Sequence, residues 1–181
     1  MEFLEYSMPI VIVDYGMGNL GSILNMFKHI RVEARIASNF HDLDDAEKIV
    51  LPGVGAFDYG MRSIHQKGLF SILNHKVLEQ KTPLLGICLG MQLLTDRSEE
   101  GVEKGFGWIS GSSSKFFFDK KNDQLKVPHM GWNSLNIEKN NPLLSGLGED
   151  PRFYFIHSYH IECKQPDEVL ATTTYGYKFP S

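Results

Sequence analysis

The feature that most constrains this chain is a cysteine set between two glycines at the end of an apolar segment. Residues 84–94 read LLGICLGMQLL and contain Gly86-Ile87-Cys88-Leu89-Gly90. This is the cysteine form of the nucleophile elbow, in which a buried strand turns sharply into a helix. Glycines permit the turn because they carry no Cβ atom. The pattern predicts an α/β fold that holds Cys88 at the start of a helix.

The chemistry of Cys88 has two interpretations. A helix N-terminus carries about half a positive charge, which favours the reactive thiolate over the thiol. The alternative is a structural cysteine buried in the core, where free cysteines are common. The motif alone does not distinguish a nucleophile from a core residue, and the patterns in the rest of the chain are needed to choose between them.

Strands and helices alternate before the elbow. Apolar strands are predicted at 9–13, 32–37, 48–51 and 84–87, with helices at 20–30 and 59–81, the second divided at Gly68. Such alternation predicts a mostly parallel sheet flanked by helices. Reactive groups in these sheets lie at the carboxyl ends of the strands. Loops 16–19 and 52–57 should therefore lie at the same edge as Cys88.

The first loop also contains a G-x-G-x-x-G sequence at residues 16–21, between a strand and a helix. That spacing is typical of dinucleotide-binding proteins, which also carry an acidic residue after the second strand. Here the second strand leads into Ser38 and Asn39, and the nearby aspartates have the pattern of a turn or helix start. A tight turn is the favoured interpretation, and no cofactor is expected.

The loop Pro52-Gly53-Val54-Gly55-Ala56-Phe57 can orient backbone N–H groups toward an empty space. Such a loop forms an anion nest or half of an oxyanion hole. An ordinary strand-to-helix turn is the alternative.

The second half of the chain has a different pattern. Residues 95–104 are polar and predict a helix end and loop, and short strands are predicted at 106–109, 115–118, 126–127 and 134–137. These strands suggest a small antiparallel excursion from the main sheet. Residues 128–133 (PHMGWN) predict a loop that either contacts a partner or covers the core. Residues 152–159 (RFYFIHSY) predict an aromatic strand that ends in His157-Ser158-Tyr159, and simple packing in the sheet core is the alternative interpretation.

His157-x-x-His160 is not interpreted as a metal site. Residues three apart on a strand point to opposite faces, and Cys88 has no nearby partner in the sequence. No metal ion is expected.

Composition excludes several classes of protein. The chain has 181 residues, 42% of them apolar, which predicts a single domain spanning 1–181. The net charge is −4 with no basic block, so binding to nucleic acid or a membrane surface has no electrostatic support. The N-terminus lacks a basic region, no apolar run approaches 20 residues, and only two cysteines occur. These features predict a cytoplasmic protein.

Five motifs in order resemble those of the class I (triad) glutamine amidotransferases. They occupy residues 14–20, 52–57, 86–94, 128–133 and 154–159, and together they span nearly the whole chain. The elbow is shared by the class. The first, second and fourth motifs resemble a subfamily that delivers ammonia to a (β/α)8-barrel synthase subunit in histidine biosynthesis. The resemblance implies a flavodoxin-like fold and also explains the G-x-G-x-x-G sequence.

The resemblance implies a role for each motif. Cys88 attacks the side-chain amide of glutamine, forms a glutamyl thioester and releases ammonia. The backbone of Gly53, Val54, Gly55 and Leu89 forms the oxyanion hole. The residues implied to bind glutamine are Gln92, His157, Ser158 and Tyr159. Those implied to face the synthase partner, in a heterodimer, are Asn19, His129, Met130 and Trp132.

One part of the family pattern finds no match. Family members carry a catalytic histidine, and a glutamate two residues later, in a Q-F-H-P-E-type strand near the C-terminus. The match here runs through residues 171–176 to Phe179-Pro180-Ser181, where the sequence ends. No other histidine has a motif that supports it as the base. The expectation is therefore a C-terminally incomplete chain, without the last strands, the catalytic pair and the closing helix.

Two other functions are considered beside the histidine-pathway glutaminase. A paralogous amidotransferase of the same type supplies ammonia for the amination of a surface-polysaccharide sugar. An inactive, truncated module that only binds the partner is the other.

Overall fold

The computed structural model describes residues 10–119 and 125–181. The contacts divide them into two compact units, one ending at Leu94 and one beginning at Thr95. Residues 1–10 were interpreted as lacking the features of a signal sequence, and of these residues only Ile10 lies within the described part of the chain. None of the described helices is long and apolar enough to cross a bilayer.

The first unit alternates strands and helices as predicted. Its elements are β1 (Ile10–Val13), α1 (Leu20–His29), β2 (Ala34–Ala37), α2 (Phe40–Asp44), β3 (Lys48–Gly53), α3 (Phe57–Gln66), α4 (Leu69–Asn74), a π-helical turn (His75–Glu79), β4 (Leu84–Cys88) and α5 (Leu89–Gln92). The strands form one parallel sheet in the order β2-β1-β3-β4. The predicted parallel sheet is confirmed.

The core of this unit is built from the sheet and from α3 and α4. β1 and β3 are almost continuously apolar, as expected of central parallel strands, and are buried along most of their length. α3 buries Phe57, Met61 and Ile64 because these residues recur at helical spacing. Gly68, with φ of 68°, separates α3 from α4 as predicted.

Lys76 is a buried charge with a structural role. Its side chain is 3% exposed, and its Nζ donates hydrogen bonds to the carbonyl oxygens of Asp44 and Ala46. These carbonyls lie at the end of α2, where the helix dipole favours a cation. Lys76 thereby connects α2 to the helix that precedes β4.

The second unit consists of short strands. They are β5 (Thr95–Ser98), β6 (Ile109–Lys115), β7 (His129–Ser134), β8 (Asn136–Ile137), β9 (Arg152–His157), β10 (Tyr159–Cys163), β11 (Ala171–Tyr175) and β12 (Tyr177–Pro180), with 3₁₀ turns at Pro142–Leu144 and Pro166–Glu168. They form three small sheets, β10-β6-β5, β12-β11-β8 and β7-β9. All pairings are antiparallel except β5 with β6, so the predicted antiparallel excursion largely holds.

Several strand boundaries predicted in this unit are wrong. Residues 128–133 were expected to form a loop, yet β7 occupies most of this segment because it pairs with β9 along six residues. β5 replaces the helix end and loop expected from residue 95 onward. β6 runs through Gly111 and three serines that were expected to form a turn, and the predicted strands at 106–109, 115–118 and 126–127 do not form as such.

Phe116 is the centre of the second unit's core. It is 4% exposed and contacts the rings of seven aromatic or histidine side chains. The closest of these is His160, whose ring stacks on Phe116 at a centroid distance of 4.6 Å. Aromatic packing of this kind provides a large buried area in a unit whose described residues, 95–119 and 125–181, form no helix longer than one turn.

Candidate active site

The elbow is present in the first unit with the predicted geometry. β4 ends at Cys88 and α5 begins at Leu89. Cys88 has φ of 54° and ψ of −116°, a strained conformation that non-glycine residues rarely adopt. The same strain is typical of functional turns. Cys88 is also exposed, so the interpretation as a buried structural cysteine is wrong.

The two glycines around Cys88 are required by close packing. A Cβ atom at Gly90 would overlap the carbonyl oxygen of Leu51, and one at Gly86 would lie 2.7 Å from Cα of Met91. Neither neighbouring backbone can move without displacing β3 or α5. The spacing of glycines in the motif therefore reflects the approach of α5 to the sheet.

The loop after β3 lies next to Cys88. Gly53 pairs with Cys88 in the register of the parallel strands β3 and β4. Gly55 has φ of 116°, and Val54 between these glycines is 64% exposed. The predicted backbone donors of Gly53, Val54, Gly55 and Leu89 thus lie on adjacent strand ends, which is the arrangement that an oxyanion hole needs.

The turn after β1 supports this loop. Gly18 packs on Gly53, since a Cβ at Gly18 would lie 3.5 Å from N of Gly53. A Cβ at Gly55 would lie 2.8 Å from Cε of Met17, so the Met17 side chain packs on the same loop. The carboxyl ends of β1, β3 and β4 therefore converge, as the alternation of strands and helices predicted.

Tyr15 belongs to this cluster and was not among the predicted site residues. It is fully buried, and its hydroxyl packs so closely on Gly53 that a Cβ atom there would collide with it. Burial, and secondarily the charge of Cys88, raise the pKa of the phenol. The only sequence signal for Tyr15 was its place in the first motif.

Gln92 and Asn19, also in the first unit, occupy different environments. Gln92 lies on α5, one turn after Cys88, and is 8% exposed. Asn19 is exposed at the N-terminus of α1, where its side chain accepts a hydrogen bond from N of Ser22. Asn19 is therefore a helix cap as well as a predicted interface residue.

The other residues predicted to bind glutamine lie in the second unit, at the end of β9 and the start of β10. His157, Ser158 and Tyr159 are all half-buried. His157 Nδ1 donates to the carbonyl oxygen of Tyr159 at 2.8 Å, because a carbonyl can only accept. This bond closes the turn between β9 and β10 and orients the His157 ring.

His129 and His157 form one hydrogen-bonded chain. With its Nδ1 protonated, the neutral His157 ring accepts at Nε2 from Nδ1 of His129, at 2.9 Å. Asn133 Nδ2 donates to Nε2 of His129 at 3.2 Å and to the carbonyl oxygen of Thr174 at 2.9 Å. Burial, and then the neighbouring His157, lower the pKa of His129 from 6.5 to about 4. Burial also lowers the pKa of His157.

The alternation of β7 corrects the role predicted for His129. Its side chain is 3% exposed and bonded on both ring nitrogens, so it faces the interior and is not available to a partner. Met130 and Trp132 point the other way and are 57% and 65% exposed. Successive residues of a strand face opposite sides, which a prediction of a loop could not anticipate.

An exposed apolar face results from the pairing of β7 with β9. Met130 lies opposite Ile156 and Trp132 opposite Tyr154, and all four side chains are more than half exposed. We call these four residues the β7–β9 face. Packing in the sheet core, the alternative interpretation of residues 152–159, does not hold for Tyr154 and Ile156, which lie on this face. Exposed patches of aromatic and apolar residues are typical of interaction surfaces.

No group of three or more histidine, cysteine, aspartate or glutamate side chains that could hold a metal ion occurs in the described ranges, 10–119 and 125–181.

Comparisons with known proteins identify the family. The family model for class-I glutamine amidotransferases matches residues 11–179. Imidazole glycerol phosphate synthase subunit HisH 2 of Methanococcus maripaludis is 49% identical over 172 residues, covering 95% of this chain and 84% of the relative. HisH 2 of Pseudomonas aeruginosa is 46% identical over 170 residues, covering 94% and 83%.

Solved structures share the fold. A glutamine amidotransferase crystal structure superposes with a TM-score of 0.65 at 18% identity, covering 92% of this chain and 85% of the other. PurLQS from Thermotoga maritima gives a TM-score of 0.67 at 18% identity, covering 94% and 78%. The predicted α/β amidotransferase fold is confirmed, and the chain belongs to the class-I glutamine amidotransferase family.

Proposed function

We propose that this chain is the glutaminase subunit of an imidazole glycerol phosphate synthase, releasing ammonia from glutamine for histidine biosynthesis. The observation that carries the proposal is the exposed Cys88, strained at the start of α5 and paired in register with Gly53. Relatives at 42–49% identity that carry the HisH name support the choice of pathway.

Cys88 is the nucleophile of the proposed reaction. Its sulfur attacks the side-chain carbonyl carbon of glutamine, the C–S bond forms, and the carbonyl oxygen takes on negative charge. The backbone N–H groups of Leu89 and of the loop 53–55 receive this charge. The C–N bond then breaks, the nitrogen takes up the proton that the Cys88 thiol gave up and leaves as ammonia, and water later hydrolyses the glutamyl thioester and restores the thiol.

The other proposed contacts bind the substrate. Gln92 on α5 and, in the second unit, the 157–159 segment are proposed to hold the glutamine, by analogy with the family. The rigid hydrogen bonding of His157 supports a binding role, since it fixes the backbone of the β9–β10 turn. The hydrogen-bonded chain keeps His157 neutral and oriented rather than free to rotate.

The partner is proposed to be a (β/α)8-barrel synthase subunit that receives the ammonia in a heterodimer. Met130 and Trp132 on the β7–β9 face and the exposed Asn19 are its proposed contacts. Because His129 is buried, we do not include it among the partner contacts, and in this scheme it only supports β7 from the interior of the second unit. Two free cysteines, one of them an exposed reactive thiol, suit a reducing compartment, and we place the protein in the cytoplasm.

The test is a comparison of Cys88→Ala with the wild-type chain, each combined with the synthase subunit. The expected result is loss of glutamine-dependent turnover by a factor of at least about 10³, with ammonia-dependent turnover unchanged. Mass spectrometry should detect a glutamyl adduct on Cys88 in the wild type alone. The matched control is Cys163→Ser, which removes the other cysteine and should leave both activities intact. Loss of both activities in Cys88→Ala would contradict the division of labour.

The pathway needs its own assay. The gene should restore growth to a histidine auxotroph that lacks the glutaminase subunit, when supplied in its natural length. Failure to do so, with glutamine-derived adducts still formed on Cys88, would favour the paralogous role in sugar amination.

A further inference from the structure

A buried tyrosine beneath the elbow has no role in the chemistry described so far. Tyr15 is fully buried immediately after β1, and its hydroxyl has no hydrogen-bond partner among the described residues. Burying an unsatisfied hydroxyl lowers stability, and phenylalanine would fill the same space without that cost. The hydroxyl therefore needs a reason other than the stability of the fold.

The position of the hydroxyl supplies that reason. It lies so close to Gly53, at the end of β3, that a Cβ atom at Gly53 would collide with it. A Cβ atom at Gly53 would also lie 2.9 Å from Cβ of Leu89 and 3.0 Å from N of Gly90. The Tyr15 oxygen therefore packs on the Gly53 backbone in the region where that backbone approaches the first residues of α5.

We propose that Tyr15 is a positioning residue whose hydroxyl sets the spacing between the Gly53–Gly55 backbone and the Leu89 N–H. The inference rests on the proposed function, because those two segments are the donors of the proposed oxyanion hole. Such donors must lie within about 2.7–3.1 Å of the developing oxyanion, so a small change in the separation between the two segments weakens their stabilisation of that negative charge.

Tyr15 is held firmly enough to act in this way. Its carbonyl oxygen accepts a hydrogen bond from Oγ of Ser63, and Lys67 Nζ donates to the carbonyl oxygen of Asp14 at 3.1 Å. Both donors belong to the helical segment that follows the 53–56 loop. Burial raises the pKa of Tyr15, so its hydroxyl stays neutral in this position.

The experiment separates oxyanion stabilisation from thiol reactivity. All variants carry Cys163→Ser, so that Cys88 is the sole cysteine. The probe is a glutamine analogue with an aldehyde in place of the side-chain amide. Cys88 adds to the aldehyde carbon, the S–C bond forms, the thiol proton ends on the oxygen, and that oxygen occupies the oxyanion position. Its affinity is measured as protection of Cys88 against iodoacetamide, whose own reaction forms no oxyanion.

For Tyr15→Phe we expect about tenfold weaker binding of the aldehyde. Complete loss of one oxyanion-hole donor lowers kcat by about 10²–10³, and this substitution only displaces the donors. The alkylation rate without aldehyde should stay within about twofold of wild type, and the melting temperature should be equal or higher. Tyr59→Phe is the matched control, because Tyr59 is 59% exposed on α3, and it should change neither quantity.

Wild-type affinity in Tyr15→Phe would overturn the inference, and so would an equal fall in alkylation, which would indicate general damage to the elbow. Gly53→Ala, whose Cβ would collide with the hydroxyl, must show the same selective loss, and wild-type affinity there would also overturn it. A wild-type chain that the aldehyde does not protect would refute the proposed function and the inference with it. A protected wild type with an unaffected Tyr15→Phe would refute the inference alone.

Discussion

The hydrogen-bonded pair of His129, which is buried, and His157, which is half-buried, predicts that the second unit loses stability in mild acid. The ordinary histidine pKa is about 6.5, and burial lowers that of His129 to about 4. Between these values the unfolded chain binds a proton that the folded chain does not. The His129 contribution to stability is therefore complete above pH 6.5 and falls as the pH drops toward 4.

The magnitude follows from the two pKa values. Lowering the pH from 7.5 to 5 should reduce the free energy of unfolding by about 2 kcal/mol through His129 alone. His157 and His160 have pKa values that are also lowered by burial, so they act in the same direction. The carboxylates Asp96 and Glu138 have pKa values lowered chiefly by hydrogen bonds from Lys164 and Lys178, and their contribution is lost only at lower pH.

The assay is urea unfolding followed by tryptophan fluorescence at pH 7.5, 6.5, 5.5 and 5. Both tryptophans, Trp108 and Trp132, lie in the second unit, so the signal reports on the part of the chain that contains the histidines. His129→Gln keeps a polar side chain but removes the ionisation. It should lower stability at pH 7.5, because stacking on Tyr175 and Phe155 is lost, while its further loss at pH 5 is about 2 kcal/mol smaller than that of wild type.

The matched control is His41→Gln, since His41 is exposed on α2 in the other unit. It should keep the full wild-type dependence on pH. Equal pH dependence in wild type and His129→Gln would refute the reasoning, because it would show that His129 takes up a proton in the folded protein as easily as in the unfolded one.

Two further substitutions test the packing and the surface. Gly90→Ala should destabilise the first unit by more than about 3 kcal/mol, because its Cβ would overlap the Leu51 carbonyl oxygen. Gly21→Ala on α1, with only a 3.9 Å contact, should be neutral or slightly stabilising, both variants being measured by urea unfolding followed by far-UV circular dichroism, which reports on the helices of the first unit. A soluble, equally stable Gly90→Ala would contradict the close approach of α5 to β3. Trp132→Ala should change the free energy of unfolding by less than about 1 kcal/mol, but it should weaken binding of the synthase subunit at least about tenfold in calorimetry. The control is Val102→Ala, which should change neither quantity, because the Val102 side chain is 90% exposed. A large stability loss with unchanged binding would assign Trp132 to the core.

The elbow and the first sheet were predictable because their signals are local. Glycine spacing around Cys88, apolar runs of strand length and intervening helical periodicity are written in consecutive residues, and the resemblance to the amidotransferases depends on the same motifs. The convergence of the loops after β1 and β3 on Cys88 followed from the rule that active sites lie at the carboxyl ends of parallel strands.

Tertiary structure alone decided the features that depend on pairing between distant segments. Gly111 and the serines after it form a strand because β10 and β5 supply partners on both sides, which outweighs their turn propensity. The register of β7 with β9 turned His129 inward and left Trp132 outside, although both belong to one motif. The place of the Tyr15 hydroxyl at Gly53 depends on two loops that are far apart in the chain, and a sequence records the residues of such a contact but not the contact itself.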